Sequence, residues 1–136
     1  MRHISLAAIL VAALAQAALG GDDPSIKGKL RTDIQEAMSS HIDENSVKSK
    51  YLVYDTVEGK LQRLTFKELH TGIVKKAEFY VSCADFVDGS GRKFDLDFLV
   101  VDDGEKLKVI QGMVHSIDGE KRKYHLEAEG GEKRTD

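Results

Sequence analysis

Apolar and polar residues alternate through the middle of the chain, and that alternation predicts the central elements. From Ala77 to Val87, residues Ala77, Phe79, Val81, Cys83 and Val87 share one parity, with Glu78, Tyr80, Ser82 and Ala84 on the other. From Phe94 to Val100, the residues Phe94, Leu96, Phe98 and Val100 are set against Asp95 and Asp97. Successive side chains of a strand point to opposite faces, so each run predicts a strand with one buried face. Asp88-Gly89-Ser90-Gly91 lies between them. Gly89-Ser90 suits a two-residue type II′ loop, whose first central residue needs a positive φ. That loop, or a four-residue loop over 88–91, sets Cys83 opposite Leu96, Val81 opposite Phe98 and Phe79 opposite Val100. An odd loop would set Cys83 against Asp95 or Asp97 and mix the faces, which burial disfavours.

The period changes upstream. Ile26, Leu30, Ile34, Met38 and Ile42 recur every fourth residue, the stripe of an amphipathic helix, with Ser25 as its expected N-cap and an end near 43–46. Tyr51–Asp55 and Leu61–Leu69 predict a hairpin turning near Glu58-Gly59, with Tyr51 and Val53 meeting Phe66 and Leu64. Thr71-Gly72 is the expected apex of the link to the central pair. Asp-Gly pairs are strong hairpin signals. With Asp103-Gly104 as a loop, Val100 meets Leu107, Phe98 meets Val109 and Phe94 meets Met113. With Asp118-Gly119 as a loop, His115 meets Arg122, Met113 meets Tyr124 and Gln111 meets Leu126.

The expected fold is therefore α+β: an N-terminal helix packed on one face of a curved antiparallel meander of five or six strands, spanning residues 25–127. This element order resembles the cystatin and nuclear-transport-factor-2 class of curved sheets wrapped on a helix. The cystatin Gln-Val-Val-Ala-Gly loop does not occur in the chain.

Residues 1–20 follow a different pattern. Arg2 precedes an apolar run from Ile4 to Leu14, and small residues then offer cleavage after Ala17 or Gly20. That is the layout of a bacterial signal peptide, implying a periplasmic or secreted protein with no membrane span once it is cleaved. Residues 21–24 form a leader, and 128–136 are polar enough to predict a disordered tail. Among the 136 residues, 41% are hydrophobic and 32% charged, with both signs mixed and a net charge of −3. No basic stripe is interleaved with aromatics, so nucleic acid is not an expected partner. The single cysteine, Cys83, falls on an apolar parity and is read as core packing.

The expected second face of the sheet holds the candidate chemistry. The register above places Ala84, Asp95, Gly112 and His125 in one row and Ser82 and Asp97 in the next. If that face is concave, Ser82, Asp95, Asp97, Gly112 and His125 form a ligand-binding site, and Asp95 with His125 an acid–base pair. Leu99, Val101 and Ile110 on the same face suggest cover by a partner, a ligand or a second copy of the chain. His115 and Arg122 are expected as a polar rim near Asp85, and Asp85 as a partner of Arg92 or Arg122. The five histidines include no short-spaced pair, and the aspartates do not follow a calcium-loop spacing, so no metal or cofactor is expected. No phosphate loop, nucleophile elbow or dinucleotide fingerprint is present. The sequence thus favours an exported, non-enzymatic binding domain for a protein or small molecule. The competing reading is a small hydrolase or isomerase using Asp95 and His125.

Overall fold

Ile34, Met38 and Ile42, one helical turn apart, are buried along a helix α1 over Gly28–Glu44. The computed structural model describes residues 21–123; the proposed signal segment, His125, Tyr124, Leu126 and the expected tail lie outside the described residues. Ser25 does not cap the helix. It turns back to Asp23, donating to Oδ1 from its backbone N and its Oγ, and Lys27 takes the capping position without a side-chain bond. Arg31 fixes the start of α1 instead. Its guanidinium reaches Ile26 O at 2.9 Å, Asp22 Oδ1 at 2.9 Å and the carbonyl of Thr71.

Seven antiparallel strands follow in sequence order as one meander: β1 Ser46–Val47, β2 Lys50–Asp55, β3 Lys60–Lys76, β4 Phe79–Val87, β5 Lys93–Asp102, β6 Leu107–Ile117 and β7 Glu120–Lys121. The helix lies against β6, β5 and β3. The short β1 adds to the expected strand count through a turn at Lys48-Ser49. Both residues have positive φ, 51° and 64°, without the glycine that would have marked it in the sequence.

The pairing departs from the expected register in four places, three of which change the faces or the turns. The central loop is odd. Val87 pairs with Lys93, Phe86 with Phe94 and Ala84 with Leu96, so Cys83 faces Asp97. The positive φ falls on Gly91, at 85°, and not on Gly89. Gly91 N donates to Asp88 O, and Asp88 N to Arg92 O, which makes a three-residue loop of a tight turn plus a glycine bulge. The Asp88 carboxylate accepts from Ser90 N, Ser90 Oγ, Arg92 N and Arg92 Nε, holding the loop in that form.

The second correction is at Thr71-Gly72, which does not turn. β3 runs on to Lys76, and twelve of its residues (65–76) span nine of β4 (79–87), with irregularities after Phe66 and Leu69. The leader occupies the bend: Asp23 N donates to Ile73 O, and Ile73 N to Asp22 Oδ1. Third, the Asp103-Gly104 turn is a four-residue loop closed by Asp103 N on Lys106 O. Val100 therefore pairs with Val109, and Phe98 with Gly112, while Ile110 and His115 are each one residue in excess of β5. The first hairpin slips by two, with Tyr51 on Leu64 and Val53 on Gln62, which preserves its faces. At Asp118-Gly119 the expected register holds: φ is 51° and 80°, and Arg122 N donates to His115 O.

The core lies on the helix side. Phe94, Leu96, Phe98 and Val100 of β5 face α1 as expected, joined by Val109 of β6. From β4, however, it is Ala84 and Phe86 that join them, and not Val81 and Cys83. Tyr51 and Leu64 come from the first hairpin. The Tyr51 ring packs on Phe86, Phe98 and His41 with centroids 5.3, 5.8 and 5.6 Å apart. Its hydroxyl meets His41 Nε2 at 2.9 Å and passes over Gly112. The sheet curls far enough for its ends to meet. Arg122, just past β7, donates to the buried carboxylate of Asp55 at the end of β2, 2.7 Å away. Gln62 shares that carboxylate, and Asp55 Oδ1 accepts from Val57 N in the next turn.

A Cβ on Gly112 would lie 2.6 Å from Tyr51 Oη and 2.8 Å from a Phe98 ring carbon. Gly112→Ala is therefore expected to lose about 1–3 kcal/mol in urea unfolding, the usual penalty for overpacking. Pairing it with Tyr51→Phe, which removes the crowding oxygen, should recover part of that loss.

Candidate functional site

Odd-numbered residues of β4 and β5 meet on the face away from α1, and the odd loop brings acids and the thiol together there. Asp85 pairs with Asp95 and Cys83 with Asp97. From β6, the extra residue His115 turns onto the same cluster. Asp97 is fully buried (0% exposed), Cys83 2% and His115 3%. A buried carboxylate requires donors. Asp97 Oδ1 has two, Cys83 Sγ at 3.0 Å and His115 Nδ1 at 2.8 Å. Cys83, expected in the core, and His115, expected on a polar rim, instead belong to this buried cluster on the face away from α1.

Asp95 continues the cluster outward. Its Oδ1 is buried with no hydrogen-bond partner. Burial pushes its carboxyl up to about 6, against the pull of His70 and His115 and with the added repulsion of Asp97 and Asp85. On the far side, His70 Nε2 lies 2.7 Å from Asp85 Oδ1. Asp85 is thus satisfied by a histidine from the bent part of β3, and not by Arg92 or Arg122. Arg92 bonds Asp88 and Glu58, and Arg122 bonds Asp55. The hydrogen bonds from Arg92 hold the Glu58 carboxyl well below its usual range.

A pocket of about 450 Å³ opens at this end of the cluster. Asp85 and Asp95, Lys67 and Lys93, and Ser116 and Gly119 line it together with the apolar Phe86, Val87 and Phe94. The liganding atoms of His70, Asp85 and Asp95 lie within 4.8 Å of one another, as do those of Cys83, Asp95, Asp97 and His115. Asp95 is common to both groups.

Of the residues singled out in the sequence, Asp95 and Asp97 do share this face. Ser82 and Gly112 do not: both pair with Phe98, in a row facing the helix. His125 lies outside the described residues. Sequence reasoning passed over His70, Cys83, Asp85 and His115 as contributors. Their spacing carries no local motif, since each comes from a different position on β3, β4 or β6. One signal was legible: Asp85 sits on an otherwise apolar parity.

No protein-family model, curated protein or solved structure matches the chain. The site's chemistry therefore stands on its own geometry.

The thiol does not have the surroundings of a nucleophile. Cys83 is 2% exposed, and its Sγ is engaged as a donor to Asp97 Oδ1, 3.0 Å away. Asp95, by contrast, can exchange a proton near neutral pH. Its raised pKa means the folded state keeps a proton that the unfolded chain releases near pH 4. That stabilisation is present in full below the unfolded value and is lost as pH rises through about 6. In chelator-containing buffer, wild type should lose on the order of 2 kcal/mol between pH 4 and pH 7 from this group. Asp95→Asn should flatten that part of the profile, read by thermal unfolding at each pH. Ser82 tests the opposite face: its Oγ is buried among core side chains with no partner. Ser82→Ala should leave ligand binding unchanged and raise stability by up to about 1 kcal/mol, because removing an unsatisfied buried hydroxyl removes its desolvation cost.

Proposed function

We propose that this chain is an exported, non-enzymatic binding domain, periplasmic or secreted, whose pocket beside Asp85 and Asp95 takes a small zwitterion. Export is supported by the pattern of residues 1–20, which lie outside the described residues. Among the described residues no helix is long and apolar enough to cross a membrane. The order of one helix followed by a meander curled around it supports a place in the cystatin and nuclear-transport-factor-2 class of folds.

The observation that carries the reading is the buried, partnerless Oδ1 of Asp95 in a residue that lines the pocket. An ammonium or guanidinium group from outside would satisfy it with a charge-assisted bond. Lys67 and Lys93 in the same lining supply the opposite charge for a ligand carboxylate. The mixed signs favour a zwitterion such as a free amino acid or a peptide terminus over a simple cation.

Calorimetric titration with free amino acids and short peptides tests this. Saturable one-to-one binding is expected, weakened about tenfold or more by Asp95→Asn, the loss of one charge-assisted hydrogen bond. Failure of every zwitterion tested, or binding indifferent to Asp95, overturns it. Turnover of the bound compound would instead identify the small hydrolase or isomerase that Asp95 and His125 were read to support.

A further inference from the structure

Cys83, Asp97 and His115 offer a thiol, a carboxylate and an imidazole from three adjacent strands, each nearly or fully inaccessible. Asp95 brings a second carboxylate, and one liganding atom from each of the four lies within 4.8 Å of the others. One sulfur, one nitrogen and two oxygens at that separation is a donor set for a four-coordinate ion of the zinc type. Calcium and magnesium fit it poorly, since they take oxygen ligands almost exclusively.

Two further features agree with an ion at the centre. Two hydrogen bonds inside the cluster converge on a single oxygen, Asp97 Oδ1, so the thiol, the imidazole and the carboxylate already point at one another. Asp95 Oδ1, buried and without a partner, is the oxygen a cation would satisfy. Of the four, Asp95 also lines the pocket, so the cluster adjoins it at that residue. His115 can present a ring nitrogen here because it is the extra residue at an irregularity in β6; in regular pairing its neighbours would set the faces.

We propose that Cys83, Asp95, Asp97 and His115 bind one divalent, thiophilic transition-metal ion. Binding forms a sulfur–metal bond as the Cys83 S–H bond breaks, and that proton leaves to solvent. Asp95 gives up whatever proton it carries. The His115 Nδ1–H bond that meets Asp97 also breaks, the ring then carrying its proton on Nε2 so that the Nδ1 lone pair faces the ion. Hydrogen bonds are thus exchanged for metal–ligand bonds, with no oxidation or reduction. The ion would take the Asp95 oxygen that the zwitterion reading gives to an ammonium, so the test contains no organic ligand and its outcome is read separately from that titration.

Cobalt(II) is the probe, added to the chelator-treated full chain. One equivalent should bind, with the near-ultraviolet charge-transfer band of a cobalt–thiolate bond and the intense visible bands of four-coordinate cobalt. Zinc(II) should then displace it and bleach both. Binding should release at least one proton per ion at pH 7 and weaken as the pH falls, because the thiol must ionise. Cys83→Ser should abolish the charge-transfer band, and Asp97→Asn should weaken binding at least tenfold, with circular dichroism reporting that each variant is folded. His70→Ala should leave the spectrum unchanged, since His70 belongs to the outer group. A wild-type cobalt spectrum without a thiolate band overturns the proposal whatever the variants do. So does a band that survives Cys83→Ser, or metal uptake lost equally in His70→Ala.

Discussion

One carboxylate decides which residues of β4 look at which residues of β5. Asp88 accepts four hydrogen bonds within its own loop and so fixes an odd number of residues between the paired Val87 and Lys93. A loop one residue shorter or longer would turn β4 over against β5. Ala84 and Phe86 would leave the helix, and the thiol would leave Asp97. The aromatic cluster around Tyr51 and the polar cluster around Asp97 thus rest on the same loop, on opposite faces of the same two strands.

The two clusters solve opposite problems. On the helix side, six elements supply apolar rings and branched chains, and the Tyr51 hydroxyl is met locally by His41, while Ser82 Oγ is left without a partner. Burial holds the His41 ring below its usual pKa, which favours the neutral form that can share a proton with a phenol. On the other face, burial falls on groups that ionise. Asp97 is tolerated there because two donors converge on it. Asp95, short of donors, meets the same burial by holding its proton more tightly.

Much of the architecture was legible. The helix stripe, the β5 faces and the Asp118-Gly119 turn could be read from period and turn chemistry, because each depends on neighbours a few residues apart. The faces of β4 could not. Its odd positions carry Val81 and Cys83, its even positions Ala84 and Phe86, and either set can form a core. Alternation had no power to choose between them; Asp88 and Gly91 chose. The register of β6 was hidden for another reason, since Ile110 and His115 are excess residues that no alternation announces. The candidate site inherits both uncertainties. Asp95 and Asp97 were found because β5 alternates cleanly, whereas their companions needed β4, β6 and the bend of β3 to be placed correctly first.

The length of β3 has one more effect. The strand pairs with β2 through Leu64 and with β4 from Thr65 onward, so it serves its two neighbours one after the other and not side by side. Backbone groups of its second half therefore face outward along a free border, met by the leader at Ile73. Such a border invites another chain to dock and propagate into a fibre. Lys67 and Glu68 stand exposed along it, and the irregularities after Phe66 and Leu69 break its straightness. The bend that carries His70 to Asp85 also leaves this border a poor template for self-assembly.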